Sequence, residues 1–320
     1  MNKIHITGFG SMLYFIVRST FMIVLLPFLL PYKQDSLLIC IIGSIIGYLL
    51  FTVILRLWKK NQEPDIIHYF DKKLPTGINF IVNLGITIVL FALGWLILTR
   101  LIDFTHVQYL KEMSIFLIGL LYIGTIVYLA SKDFETISKA SLIFLLLSFF
   151  LLLIKVIGLI GQVHLENLFP LWNHSLWEIG KASIVYAVIT TIPLFLLLLV
   201  ERKQIEPQKG LQKKIKGMYI FTAAILFLHI FLILTVLGPH LMEIYHYPEF
   251  HLLSNVKILG FIDKLESILS IQWIIDMVIC ITLCFIYAKT FLFYYIKNLF
   301  PKFYNKVNNS HHSKESDTIH

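Results

Sequence analysis

Arg18, Lys155, His229 and Asp276 each stand inside a long run of apolar residues. An ionisable side chain in such a run is costly to insert, so it pairs with a partner or works on a ligand or a proton. Arg18 leads into Ser19 and Thr20, and Pro27 follows in the same run. A second run carries Thr190-Thr191-Ile192-Pro193. Proline removes a helical hydrogen bond and crowds the preceding turn, which frees backbone groups. Many transporters build a small polar site near mid-membrane from two interrupted helices at matching positions of a repeat. The pair predicts a ligand site of Arg18, Ser19, Thr20, Thr190, Thr191 and Pro193, with Arg18 facing a carboxylate. The competing reading is two ordinary proline kinks, with Arg18 snorkelling or paired with a buried acid.

The other three residues each admit two roles. Lys155 either snorkels to the interface, or its ammonium takes the place of a coupling cation or carries a proton. Asp276 is a structural partner for a buried base or a relay carboxylate. His229 is a proton-relay group or a hydrogen-bonded packing histidine. Cys280 and Cys284 are one helical turn apart, but no His or carboxylate completes a metal or redox site with them. No metal and no cofactor is expected. No Gly-rich phosphate loop or nucleophile elbow is present, so covalent catalysis is not expected. A membrane-embedded transferase using His229 and Asp276 is an alternative that a shared cavity would favour.

The elements that must position these residues follow from composition. Of 320 residues, 58% are hydrophobic and only 14% charged, with a mean hydropathy of +0.79. Soluble domains run about 45–50% apolar and about 25% charged. A water-soluble fold, a disordered chain and a nucleic-acid-binding domain are thereby excluded, despite a net charge of +8. A spanning helix needs about 20 mostly apolar residues. Runs near 9–30, 37–58, 76–99, 114–131, 140–161, 176–200, 217–238 and 265–296 predict an all-α bundle of about eight transmembrane helices. Arg18 lies about 14 Å into the first of them at 1.5 Å per residue. That run still inserts: its Leu, Ile, Val and Phe residues contribute about −0.3 to −0.6 kcal/mol each, against about +2.5 to +3.5 for one central Arg.

Lys and Arg in the short loops fall eighteen to four in favour of one side, the minority being Lys33, Arg100, Lys111 and Lys257. The positive-inside rule then places both termini in the cytoplasm. The net charge is therefore a topology signal and no clue to nucleic acid. Residues 1–300 form one integral membrane domain, and 301–320 a polar, disordered cytoplasmic tail. Residues 64–74 mix apolar and charged side chains as a short interfacial helix does. Ser175 and Glu178 have capping-box spacing at the start of the sixth span. Gly43 and Gly47 form a small-xxx-small surface for close packing, expected to be within the chain rather than between copies.

Several stretches together resemble one known family. They are Gln34-Asp35-Ser36-Leu37, Glu166-Asn167-Leu168-Phe169-Pro170-Leu171, Glu201, Tyr247-Pro248, and Phe261 to Glu266 with Trp273. In order and spacing they are similar to the permease-like B subunit of bacterial spore germinant receptors, within the amino acid/polyamine/organocation transporter superfamily. The resemblance runs from residue 6 to about residue 290. It implies a five-plus-five inverted-repeat, LeuT-like fold and binding of an amino acid or similar nutrient. It also implies A and C partner subunits and residence in the spore inner membrane. The family has ten spans, so the second repeat is expected to be truncated here. The expected function is a membrane subunit that senses a nutrient and signals germination. The alternative is a proton- or ion-coupled amino acid transporter that works alone.

Overall fold

The computed structural model describes residues 4–60, 66–200, 204–205, 210–245, 247–256 and 266–299. Among these residues the regular structure is helical, apart from an isolated parallel bridge between Ile4 and Ile205. Of the resembling stretches, residues 261–265 and Glu201 lie outside the described residues, as does the 301–320 tail.

Among the described residues, six helical stretches are long and apolar enough to cross a membrane: Ile6–Arg56, Thr76–Gln108, Phe134–Gln162, Leu176–Leu198, Leu211–Ile244 and Glu266–Tyr295. The first has 51 residues. At 1.5 Å per residue it would run about 76 Å if straight, more than twice the hydrocarbon layer. It reverses at Lys33, whose φ is 48°, and so covers the first two expected spans. Helix α1 (Ile6–Thr20) precedes a π-helical turn at Phe21–Leu25 and the short α2 (Leu26–Leu29). Helix α3 (Ser36–Lys60) follows the reversal. The fourth expected span is α6 (Ile115–Ala130), which has only 16 residues. Between them come the short α4 (Ile66–Lys73) and the 33-residue α5 (Thr76–Gln108).

Asp35 holds the reversal in place. Its Oδ1 accepts from the Trp172 backbone N–H at 2.7 Å, and its Oδ2 from the His174 N–H at 2.9 Å and ring Nδ1 at 2.9 Å. Gln34 Nε2 donates to the Phe169 carbonyl at 3.4 Å. Two of the resembling stretches thus meet at one junction.

Every residue of α1 except Thr7 is buried. A helix buried on every side belongs in the centre of a bundle. α1 is surrounded by α7 (Phe134–Leu159), α9 (Leu211–Leu232), α12 (Glu266–Leu299) and the 3-10 segment Ile192–Leu199 that continues α8 (Leu176–Thr191). Outer helices keep one apolar face exposed, as with Ile81, Phe116 and Leu146, which suits contact with lipid. α3 packs on α8 and α9 through its small residues. A Cβ added at Gly43 would lie 2.5 Å from Tyr186 Cδ1, and one at Gly47 would lie 2.2 Å from Tyr219 Oη. The small-xxx-small surface therefore serves packing inside the chain.

The capping box at the start of α8 forms as its spacing predicts. Glu178 N–H donates to Ser175 Oγ at 3.3 Å and Ser175 N–H to Glu178 Oε2 at 2.9 Å. Ser175→Ala is expected to lower stability by about 1 kcal/mol, read by thermal denaturation in detergent, with Ser175→Thr close to native.

Candidate functional site

The chain breaks its helices around one buried point. After Thr20 the hydrogen bonding of α1 widens into the π-helical turn, where Leu26 N–H reaches Phe21 O. Further on, α9 widens at Ile233–Leu237 and ends at Gly238, whose φ of 79° suits glycine. The carbonyl of Thr235, in this widened segment, accepts from the His164 N–H at 3.0 Å and from Asn167 Nδ2 at 3.1 Å. The loop that carries Glu166 and Leu171 thus braces the break. The chain then turns through α10 (Gly238–Ile244) and α11 (Pro248–Ser254), which fold back onto the bundle.

Five side chains from five helices meet there: Arg18 of α1, Lys155 of α7, His229 of α9, Glu249 of α11 and Asp276 of α12. All are buried, Arg18, His229 and Asp276 completely. Glu249 is the hub. It takes both terminal nitrogens of Arg18, Nη1 to Oε2 at 3.2 Å and Nη2 to Oε1. Its Oε1 also accepts from Lys155 Nζ at 3.3 Å and lies 3.1 Å from His229 Nε2. His229 Nδ1 is 2.7 Å from the Ile225 carbonyl, which can only accept. That assigns the ring proton to Nδ1. The Nε2 lone pair then faces Lys155 Nζ at 2.6 Å and Arg18 Nη2 at 2.9 Å.

Asp276 differs from the other four. Its Oδ2 lies 3.9 Å from Arg18 Nε, and neither of its carboxylate oxygens, nor that Nε, has a hydrogen-bond partner. Two cations and two acids give formal neutrality, yet one acid has no donor. Buried polar groups are nearly always satisfied. An unsatisfied buried carboxylate beside an unsatisfied N–H marks a place for a small polar group.

A cavity of about 260 Å³ adjoins the cluster, with Glu249 on its wall. The interrupted first helix lines one side through Met22, Leu26 and Pro27, and Tyr247 of the returning hairpin lines another. Trp273 and Phe104 also line it, their ring centroids 5.1 Å apart.

Of the residues singled out from sequence, Arg18, Lys155, His229 and Asp276 come together. Lys155 does not snorkel; its ammonium is held inside by His229 and Glu249. Ser19 and Thr20 are adjacent, but their hydroxyls donate to their own helix at Phe15 O (2.7 Å) and Ile16 O (2.8 Å). Thr190 likewise donates to Tyr186 O at 3.0 Å, and it lies toward Gly47 and Tyr219 on the α3 and α9 side. Thr191 and Pro193 are buried next to it, where the 3-10 segment packs on α1. Glu249 was not anticipated, because Tyr247-Pro248-Glu249 reads as an outer loop. Charge balance is a signal that could have found it: Arg18 and Lys155 lie deep in their apolar runs, and Asp276 is the acid that lies as deep.

YfkT of Bacillus subtilis (strain 168), a protein provisionally named for spore germination, is 24% identical over 247 residues, 76% of this chain. The chain spans 66% of that relative's length. Residues 7–307, from the start of the central helix through the last described one, match the family model described as spore germination protein. With its apolar spanning helices, this chain belongs to the spore germination permease family as a germination-related integral membrane protein.

Proposed function

We propose that the protein is the membrane subunit of a spore nutrient germinant receptor. In this reading it binds an amino acid or a similar small nutrient and signals by rearrangement of its helix bundle. The observation that carries the reading is Asp276, a buried carboxylate with no donor, 3.9 Å from an arginine nitrogen that lacks an acceptor. An α-amino acid offers an ammonium and a carboxylate a few bonds apart, and the cluster offers an acid beside a set of bases. The ammonium goes to Asp276, and the carboxylate to the Arg18 and Lys155 side. The adjoining cavity, smaller than the usual 300–1,000 Å³ of ligand pockets, takes a small side chain among Phe104, Tyr247 and Trp273. Following the family resemblance, the subunit works with A and C subunits in the spore inner membrane, with both termini cytoplasmic.

Equilibrium binding of the twenty radiolabelled amino acids to the purified protein tests this. At least one is expected to bind, and Asp276→Asn is expected to weaken it about a hundredfold, as loss of one partner of a buried charge pair does. Binding by none of them refutes the reading.

A coupled transporter is the second reading, favoured by the contact chain from Lys155 through His229 and Glu249 to Arg18, with Asp276 beyond. These are groups that can hold and pass protons across the bundle. The same ligand entering proteoliposomes, with uptake abolished by Lys155→Ala, selects transport. Binding without uptake selects the receptor.

A further inference from the structure

We infer that Arg18 and Lys155, positioned by His229, form a carboxylate-binding site whose resident occupant is the chain's own Glu249, and that a ligand carboxylate enters by exchange with it. The inference rests on the amino-acid reading above for the identity of the ligand, though not for the existence of the site.

Three observations lead to it. The first is occupancy. Both terminal nitrogens of Arg18 and the ammonium of Lys155 converge on one carboxylate, while the Nε2 lone pair of His229 faces the same two cations and holds them in place. A bidentate arginine with further donors is the recognition geometry for any carboxylate. A ligand therefore finds this fork occupied, with only the Nε edge lacking a partner.

The second is tethering. Glu249 belongs to a short helix of seven residues, in a hairpin that begins at the break after α9. The outer edge of the hairpin carries exposed polar contacts: Lys33 Nζ to Glu243 Oε2 at 3.1 Å, and Tyr247 Oη to Asp103 Oδ2 at 2.6 Å. Exposed pairs of this kind stabilise weakly. The inner edge is held by Glu249 and by packing of Phe250 on Phe104, with ring centroids 5.6 Å apart. An anion that takes the place of Glu249 removes a charged inner fastening of the hairpin.

The third is access. The cavity lies against Glu249 itself, and its walls include Glu243, Ile244, Tyr245, Tyr247 and Pro248 of the hairpin. A ligand in the cavity meets Glu249 before it meets Arg18. Arg100 lines the same cavity, so a displaced Glu249 turns toward a cation instead of toward lipid. Exchange conserves charge: a zwitterion replaces one carboxylate with another and brings an ammonium to Asp276. Binding thereby becomes movement of the α10–α11 hairpin, which is what a receptor needs to pass a signal to neighbouring subunits.

Chemical rescue tests the site without knowledge of the nutrient. Glu249→Ala is extracted and purified in sodium formate and, in parallel, in sodium chloride of equal strength. Formate is expected to fill the vacated site, raising the melting temperature of Glu249→Ala by about 2–4 °C over chloride and leaving the native protein unchanged. A variant recovered folded only in formate gives the same answer. No difference between formate and chloride, or recovery in neither, overturns the inference. Glu249→Gln keeps the size and removes the charge. It is expected to bind the amino acid found in the binding screen at least about tenfold tighter, since the open site is no longer a minor population. Weaker binding in Glu249→Gln means that Glu249 contacts the ligand directly, and it also overturns the inference. If formate rescues while none of the amino acids binds, the site stands and the amino-acid reading fails.

Discussion

Arg18→Ala is expected to destabilise the protein by about 3–5 kcal/mol, the usual result of removing one partner from a buried ion pair. The residue is fully buried, holds Glu249 with two nitrogens and lies 3.9 Å from Asp276. Without it, two buried carboxylates share the single ammonium of Lys155 and a histidine whose proton already goes to Ile225. The charge left over is costly in so buried a place. Replacing Arg18 and Glu249 together with methionine removes one charge of each sign and leaves Lys155 facing Asp276. That double variant is expected to recover most of the lost stability, because a buried pair contributes little net energy over apolar residues of similar volume. Melting temperature and accumulated protein in the single and double variants measure this. Equal instability in both would show that Arg18 and Glu249 do not act as a pair. Nutrient response separates structure from recognition: the double variant is expected to accumulate and yet remain unresponsive, since it lacks the carboxylate site.

The second large effect belongs to the packing of α3 on α8. A Cβ at Gly43 would lie 2.5, 2.7 and 2.8 Å from Cδ1, Cγ and Cβ of Tyr186. The tyrosine has little freedom to give way. Its ring is buried and its hydroxyl sits 3.2 Å from Cys40 Sγ and 3.3 Å from Ser44 Oγ, both on α3. Gly43→Ala therefore pushes the helices apart rather than moving a side chain. Overpacking of this kind costs about 1–3 kcal/mol, read as a fall in melting temperature. Tyr186→Phe, which loses only the hydroxyl, is expected to be much milder. Gly43→Ala with Tyr186→Ala is expected to regain only part of the loss, because the Cδ1 and Cγ contacts go while the Cβ of residue 186, 2.8 Å from the added methyl, remains. If Gly43→Ala melts like the native protein, the two helices are not in the close contact described.

Much of this architecture is legible without coordinates, for a simple physical reason. Lipid cannot satisfy a backbone N–H or C=O, so long apolar runs form helices regardless of their neighbours. The capping box at Ser175 and Glu178 is equally local, since all its donors and acceptors lie within one turn. Gly43 and Gly47 announce close packing because only small residues let two helix backbones approach. The reversal at Lys33 is less legible. The break between two apolar runs is visible, but the donors that hold Asp35, from Trp172 and His174, come from a loop more than 130 residues away.

The cluster divides along the same line. Arg18, Lys155, His229 and Asp276 can be picked out because a charge or imidazole in an apolar run is costly, and that cost is a property of the run alone. The hydroxyls of Ser19, Thr20 and Thr190 were selected by the same reasoning, yet each has a carbonyl of its own helix within reach and uses it. Glu249 could not be placed, because its importance depends on a fold-back: a seven-residue helix between two spans turns inward and carries its carboxylate to three basic groups.

By itself, then, the sequence determined that the chain is a membrane helix bundle and which in-span charges need partners. Those are consequences of local composition and of the cost of polar groups in hydrocarbon. The tertiary structure alone decided which partner each charge receives. Pairing depends on where five helices converge, and the energy that selects Glu249 for Arg18 exists only once that convergence has excluded water.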